Sequence, residues 1–323
     1  VTPRLLERPR FFYGWLVVTA CALITLVSGS AFYYGFGALF DPIIDEFGWS
    51  TTTTALAFSL RSEAAAVGSP ITGFLVDRFG PRKVMMGGVL TAVLGMLWFS
   101  RMDSLFPFYA SVFVIALGNS GTDSRIGGLA VSYWFIRRRT RAIAVLTVGI
   151  GLSGFIVPAV AWMVSTHGWR AAVVAMAWAL LVVAFPLTLL VRDNPERYGL
   201  RPDGDPPRPP STLGESYRRA TSVFTEHDLS LRQAVRGRAF WLLSLAFALS
   251  TMGSTAYTVL IIPALLHAGH SHEIAALAAA GVPMLSLPGR AMTGVLGDRF
   301  DKSKVVAATF AIQAVGTLVL AAA

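Results

Sequence analysis

Thr72-Gly73-Phe74-Leu75-Val76-Asp77-Arg78-Phe79-Gly80-Pro81-Arg82-Lys83 closes one apolar run and opens the next. A second copy, Thr293-Gly294-Val295-Leu296-Gly297-Asp298-Arg299-Phe300-Asp301, stands 221 positions later. The same offset pairs Gly48 with Gly269, Ser50 with Ser271, Ala55 with Ala276 and Gly68 with Gly289, without a gap. The chain therefore carries an internal repeat. Membrane chains built from two homologous bundles hold substrate between them, near the bilayer midplane. In each copy an acid and an arginine end an apolar run. Such an acid can pair with basic side chains or with the positive N-terminal end of a neighbouring helix. A contact made in only one state would bias a rocking equilibrium; the plainer alternative is that the loop fixes topology and a tight turn.

Outward from this loop the sequence is built of apolar blocks. Of its 323 residues 54% are hydrophobic and 14% charged, against about 25% charged in soluble domains. Nine blocks run over roughly 11–39, 51–76, 83–101, 106–135, 142–166, 169–191, 239–266, 273–297 and 304 to the end. Blocks of about 20 residues match the roughly 30 Å hydrocarbon core of a bilayer, and in lipid they must be helices to satisfy their own backbone. The run after Arg4, Arg8 and Arg10 is too long for a signal peptide and reads as a retained first helix. Between the sixth and seventh blocks lies a polar stretch rich in Pro, Arg and Asp, expected to be partly disordered. The expected domains are thus 1–192, a six-helix bundle; 193–238, a linker; and 239–323, an incomplete second bundle.

Twenty-two of the 27 basic residues fall on one side of this plan: the N-terminus, the loops at 78–83 and 137–141, the linker, and 299–304. Arg101 and Arg170 fall on the other, and Arg61, Arg125 and Arg290 lie inside helices. The positive-inside pattern places the N-terminus and linker in the cytoplasm. It also accounts for the net charge of +9 without nucleic acid. The single cysteine, Cys21, excludes an intrachain disulfide. Gly149-Ile150-Gly151-Leu152-Ser153-Gly154 fits a dinucleotide fingerprint, but it lies in a membrane helix with no strand before it; its small residues there let helices approach closely. His267, His270 and His272 read as solvated loop residues rather than a metal site.

The segment 73–83 resembles the loop signature of the major facilitator superfamily, between its second and third helices, and 294–301 resembles the weaker copy between the eighth and ninth. The resemblance implies an all-α membrane fold of two six-helix bundles. Its members have twelve helices, so about nine are expected here, with the last three missing. Three further stretches resemble the monocarboxylate transporter and oxalate/formate exchanger branch. They are Phe12-Tyr13-Gly14-Trp15, Tyr133-Trp134-Phe135-Ile136-Arg137-Arg138-Arg139-Thr140-Arg141-Ala142 with Gly149 and Gly154 after it, and Leu287-Pro288-Gly289-Arg290-Ala291-Met292-Thr293-Gly294. In that branch the eighth-helix arginine binds the substrate carboxylate. The chain departs from the animal members where they carry a first-helix lysine, here Tyr34, and an aspartate, here Ser286.

Charges at membrane depth cost at least about 2.5–3.5 kcal/mol each on insertion scales, and so mark function or ion pairs. Arg61, Glu63, Asp123, Arg125 and Arg290 are such charges. Arg61 and Glu63 stand two apart, as do Asp123 and Arg125. On a continuous helix neither pair can meet, so partners across helices are expected. Arg125 is expected on a stripe with Gly118, Gly121 and Gly128. Arg290 stands eight residues before Asp298, about 12 Å from the helix end. No acid stands at 286, 287, 293 or 294 beside it. The expected function is secondary active transport of a small organic anion, most simply a monocarboxylate, by alternating access with H+ symport or anion exchange. Arg290 leads the substrate-binding set, with Tyr34, Asn119, Arg125 and Tyr257. Glu63 and Asp123 are the proton-coupling candidates, and Asp77, Arg78, Asp298 and Arg299 the gating set. No metal and no cofactor are expected. The protein is expected to work as a monomer in a bacterial inner membrane. A drug or metabolite exporter of the same superfamily and a non-transporting receptor or scaffold are the alternatives. An enzyme is not, because no nucleophile, metal cluster or acid pair stands out.

Overall fold

A computed structural model of the protein describes residues 12–31, 38–204, 231–267, 269 and 272–322, and every regular element among them is helical. In chain order the helices are α1 (Tyr13–Gly29), α2 (Phe40–Phe47), α3 (Thr51–Phe79), α4 (Pro81–Phe99), α5 (Leu105–Thr122), α6 (Ser124–Trp134) and α7 (Arg139–Ser153). They continue as α8 (Val157–His167), α9 (Trp169–Ala179), α10 (Phe185–Leu190), α11 (Leu231–Arg236), α12 (Arg238–His267), α13 (His272–Arg299) and α14 (Lys302–Ala322). Among the described residues, four helical runs are long and apolar enough to cross a membrane: Pro81–Phe99, Leu105–Trp134, Arg139–His167 and Trp169–Leu190. Tyr13–Gly29 and Ser303–Val319 are shorter apolar helices. The expected segments are recovered, with two additions, α2 and the short helix α11 within the stretch read as a linker. In the first block α1 is described as far as Gly29, residues 32–37 lie outside the described residues, and a separate short helix, α2, spans Phe40–Phe47.

Three apolar runs are interrupted, two of them beside proline. Pro158 follows the 3-10 turn Gly154–Ile156, and Pro186 follows the π turn Leu180–Ala184. A proline lacks the amide that would close the preceding turn and crowds its carbonyl, so the ladder re-forms locally with another period. Pro70 lies inside α3, which stays continuous.

The chain divides into two compact units. The first takes the residues up to 205 together with 286–299. Its core is apolar and rich in small side chains. α4 crosses α5 where Gly88 faces Gly118 and Gly121; a Cβ on Gly88 would stand 2.7 Å from the Gly118 carbonyl oxygen. α1 lies against α7, with Gly149 touching the Ala22 backbone. Of the fingerprint-like glycines, Gly149 and Gly151 thus serve helix packing, the use small residues have in lipid, while Gly154 has nothing within 4 Å. Large side chains fill the ends, Trp134 and Phe135 at one and Phe99 and Phe108 at the other, all buried. Leu94, Phe106, Trp162 and Val182 are exposed, as a surface facing hydrocarbon requires.

At the end bearing Arg101 and Arg170, α2 returns to the bundle. Phe47 stacks on Trp49 with ring centroids 4.5 Å apart, Trp49 meets Phe108 at 5.2 Å, and Phe99 meets Trp169 at 5.8 Å. Glu46 accepts a hydrogen bond from the Trp169 indole at 2.7 Å and another from Arg170. The Arg170 contact, ahead of the indole bond, holds the Glu46 carboxyl below the usual glutamate range.

At the basic end three aspartates hold helix starts. Asp193 Oδ1 accepts from the Arg82 amide at 3.1 Å, and Gly80, at φ +83°, leaves it room; a Cβ there would stand 2.8 Å from that oxygen. Asp203, itself at φ +59°, accepts from the Ile136, Arg137 and Arg138 amides at 3.1, 2.8 and 3.3 Å. Asp298 Oδ1 accepts from the Thr140 amide at 3.0 Å. Residues 193–204 are therefore ordered against the bundle, and 205–230 lie outside the described residues. The second unit, 206–285 with 300–323, holds α12 and α14 together through Gln313. Its amide accepts from Ser250 Oγ at 2.6 Å and donates to the Ser250 carbonyl at 2.8 Å and Ser254 Oγ at 3.0 Å.

Candidate functional site

The charged side chains inside the helices fall into three groups. The first sits where α5 ends and α6 begins. The sequence there, Gly118-Asn119-Ser120-Gly121-Thr122-Asp123-Ser124, is poor in helix formers and rich in cap formers. At Asp123 the backbone turns extended, φ −61° and ψ 151°, and its side chain caps α6 by accepting from the Arg125 amide at 2.9 Å. Arg125 Nε lies 3.3 Å from the same oxygen, and Nη1 donates to Ser69 Oγ at 3.2 Å. The expectation that Asp123 and Arg125 cannot meet is corrected: it assumed a continuous helix, and the helix breaks between them. The break also removes Arg125 from the glycine stripe. Gly118 and Gly121 are buried against α4, whereas the Arg125 side chain is 67% exposed.

Two cavities flank this break. One, of about 150 Å³, is lined by Thr25, Ser28, Asn119, Thr122, Asp123 and Ile150, among others. The other, of about 50 Å³, is lined by Arg61, Ser69, Thr72, Asn119, Asp123 and Arg125, among others. Asn119 and Asp123 belong to both. Ser28 Oγ and Asn119 Nδ2 are buried without a hydrogen-bond partner. Sequence reasoning picked Asn119 but missed Ser28 and Thr25 of α1. A small-hydroxyl run, Thr25 to Ser30, was the available signal.

The second group is the seam of α13 on α7. Leu287 meets Gly151, Gly294 meets Ala144, and Gly297 meets Thr140. On this seam Arg290 Nη1 donates to the Thr147 carbonyl at 3.0 Å, and Nε lies 3.4 Å from Ser286 Oγ. Among the described residues no carboxylate pairs with Arg290. At the seam's end Arg141 Nε stands 3.1 Å from Asp298 Oδ2, an ion pair by distance though not aligned as a hydrogen bond.

The third group is exposed. Glu63 lies on the face of α3 opposite the buried Ala57, Ala64 and Thr72. Asp77, Arg78 and Arg299 are exposed at helix ends, Arg78 over the Phe79 ring at 5.7 Å. The two copies of the loop therefore differ: Asp298 is seated on α7, and Asp77 has no polar partner among the described residues. Tyr34 lies outside the described residues. Tyr257 is on α12, but its side chain lies outside them.

Similarity to known proteins agrees with this architecture. The family model described as Major Facilitator Superfamily matches residues 16–323. Monocarboxylate transporter 13 of Bos taurus is 33% identical over 191 residues, 57% of this chain and 42% of that protein. The oxalate:formate antiporter of Oxalobacter formigenes is 24% identical over 311 residues, 95% of this chain and 68% of that protein. The match thus spans under half the length of the bovine relative. The solved structure of the proton:xylose symporter XylE, with a bound bromo-deoxyglucose, shares the fold: TM-score 0.63 at 14% identity, covering 89% of this chain and 70% of that one. With the helical repeat, the apolar spans and the matched family model in agreement, this chain is a multi-pass membrane protein of the Major Facilitator Superfamily, a family of transporters and not of enzymes.

Proposed function

We propose that the protein moves a small organic anion, most simply a monocarboxylate, by alternating access, with H+ symport or anion exchange as the coupling. The observation that carries this reading is the state of Arg290. Its guanidinium is held at two neutral oxygens, the Thr147 carbonyl and Ser286 Oγ, so its charge is directed but not cancelled by an acid among the described residues. A carboxylate that accepts two parallel hydrogen bonds would complete it. The names of the relatives support the same substrate class. Asn119, Arg125, Tyr34 and Tyr257 are the further proposed pocket residues, and Glu63 and Asp123 the proposed proton carriers. Asp77, Arg78, Asp298 and Arg299 are the proposed gate, in which contacts like that of Asp298 with α7 form in one state and break in another. The proposed location is a bacterial inner membrane, and the charge pattern supports basic loops in the cytoplasm.

Arg290 variants test the reading by carboxylate binding and by thermal stability together. Arg290→Lys keeps the charge and loses the fork, so affinity should fall by about tenfold or more. Arg290→Gln should abolish binding while leaving the melting temperature unchanged or higher, because an uncompensated charge is removed. Wild-type affinity in Arg290→Gln would end the monocarboxylate reading.

A further inference from the structure

We propose that the groove between α3 and α4 is a binding site for one anionic phospholipid, with an acyl chain between the two helices and the headgroup at Lys83. The inference is independent of the substrate and needs only the membrane assignment.

The groove is a cavity of about 500 Å³ within the first unit. One wall is the face of α3 that carries Ile71, Leu75 and Phe79; the other is the face of α4 from Lys83 to Thr91. Leu117 of α5 lies in the floor. The groove opens sideways, since Ile71 and Phe79 are 51% and 47% exposed although they line it. Gly87, also in the lining, is exposed as well, and a Cβ built on it meets nothing within 4 Å.

Depth decides the kind of occupant. The α3 wall runs from Phe79 back to Gly68, about 16 Å, and the α4 wall from Lys83 to Thr91, about 12 Å, at 1.5 Å per residue. One leaflet supplies about 15 Å of hydrocarbon, half of the roughly 30 Å core. α3 continues from Gly68 back to Thr51, but the groove does not follow it. A transmembrane helix would need a seat along the whole span. An acyl chain anchored at one surface ends at the midplane, where this groove ends.

Charge decides the headgroup. Lys83 is exposed at the loop end of the groove and is the one charged residue in its lining. Among the described residues no carboxylate pairs with it. The same end carries Arg78 and Arg82 against Asp77 and Asp193, and Asp193 is already seated on the Arg82 amide. Three bases against two acids leave the end positive. A lysine stem can lie along an apolar wall while its ammonium reaches the headgroup level, where a phosphate meets it as a point charge. In the proposed orientation this end faces the cytoplasm, the side on which anionic lipids attract basic residues.

The test uses the purified chain in detergent with a photoreactive phosphatidylglycerol that carries a diazirine on its acyl chain. Unlabelled phosphatidylglycerol and phosphatidylcholine serve as competitors, and labelled peptides are mapped by mass spectrometry. In the wild type the label should concentrate within residues 68–91 and saturate at about one lipid per chain. Phosphatidylglycerol should displace it at about fivefold lower concentration than phosphatidylcholine, the scale of one basic residue at an anionic surface. Lys83→Gln should keep the labelled position and lose most of that fivefold preference. Gly87→Phe should fill the groove and abolish the label there without lowering the melting temperature; Gly87→Leu serves if that variant fails to fold. Label spread over other exposed apolar residues, such as Leu94 and Val182, without saturation would mean ordinary boundary lipid and overturns the proposal. Equal displacement by the two lipids, an unchanged preference in Lys83→Gln, or wild-type labelling in a folded Gly87 variant overturns it too. So does a wild-type groove that takes no label, which would mean that a protein segment covers it.

Discussion

Asp298 and Asp77 occupy equivalent places in the repeat, yet only Asp298 is seated, with its side chain 6% exposed between the Thr140 amide and Arg141. Two contributions act there, a hydrogen bond to the start of a helix and attraction to an arginine that is 41% exposed. Asp298→Asn keeps an acceptor for the amide and loses the charge. Partly exposed pairs and helix-end charges contribute about 1 kcal/mol or less, so the seam should open about fivefold more often. Hydrogen exchange of the amides at 140–144 reads this directly. Asp77→Asn should leave those amides unchanged, and equal protection in both variants would remove Asp298 from the proposed gate. The same scale shows what the sequence could and could not say. Arg290 beside Ser286 was legible from spacing alone, because α13 is continuous there. Asp123 beside Arg125 was not, because spacing predicts contact only along an unbroken helix.

The helices themselves were legible wherever apolar length sufficed. The interruptions at Gly154–Ile156 and Leu180–Ala184 were not read from the sequence, although Pro158 and Pro186 were available signals. The break at Asp123 had no proline, only a run of residues that prefer caps, and apolar flanks concealed it. The glycines show a related limit, since their number does not say which of them face a neighbour. Gly118 meets the backbone of α4 at Ala92 and Gly88, whereas Gly128 has nothing within 4 Å. Gly118→Val should therefore cost about 1–3 kcal/mol by overpacking, or more if the two backbones must part. Gly128→Val should be close to neutral. Melting of the two variants in detergent distinguishes them, and equal losses would mean that α4 and α5 do not rely on this crossing.

At the scale of the whole chain, the proposed orientation rests on the asymmetry of basic residues across alternate loops. A polar segment at 193–238 and the loop at 268–271 should then face opposite sides of the membrane. In a Cys21→Ala background, Ser271→Cys should react with an impermeant thiol reagent from outside the cell, and Ser211→Cys only after the membrane is opened. Reaction of both from outside would reverse or void the assignment. The family and the helical segments were legible in the sequence, because a repeat and helix length are summed over many residues and tolerate local error. The site was less legible, since it depends on which side chains converge, and α1 contributes its hydroxyls through packing that no spacing rule encodes.

The aromatic cluster at the Arg170 end gives the molecule an optical handle. Of eight tryptophans, Trp169 is buried, donates to Glu46, and lies against Phe99 and beneath the Arg170 guanidinium, 4.3 Å from its ring. Trp49 is stacked on Phe47 a few residues after the same carboxylate. An indole bonded to a carboxylate and covered by a cation has an emission colour and lifetime set by those two charges. Any motion that lifts α2 from the start of α9 would change both, so the protein can report its own movement as fluorescence without an attached dye.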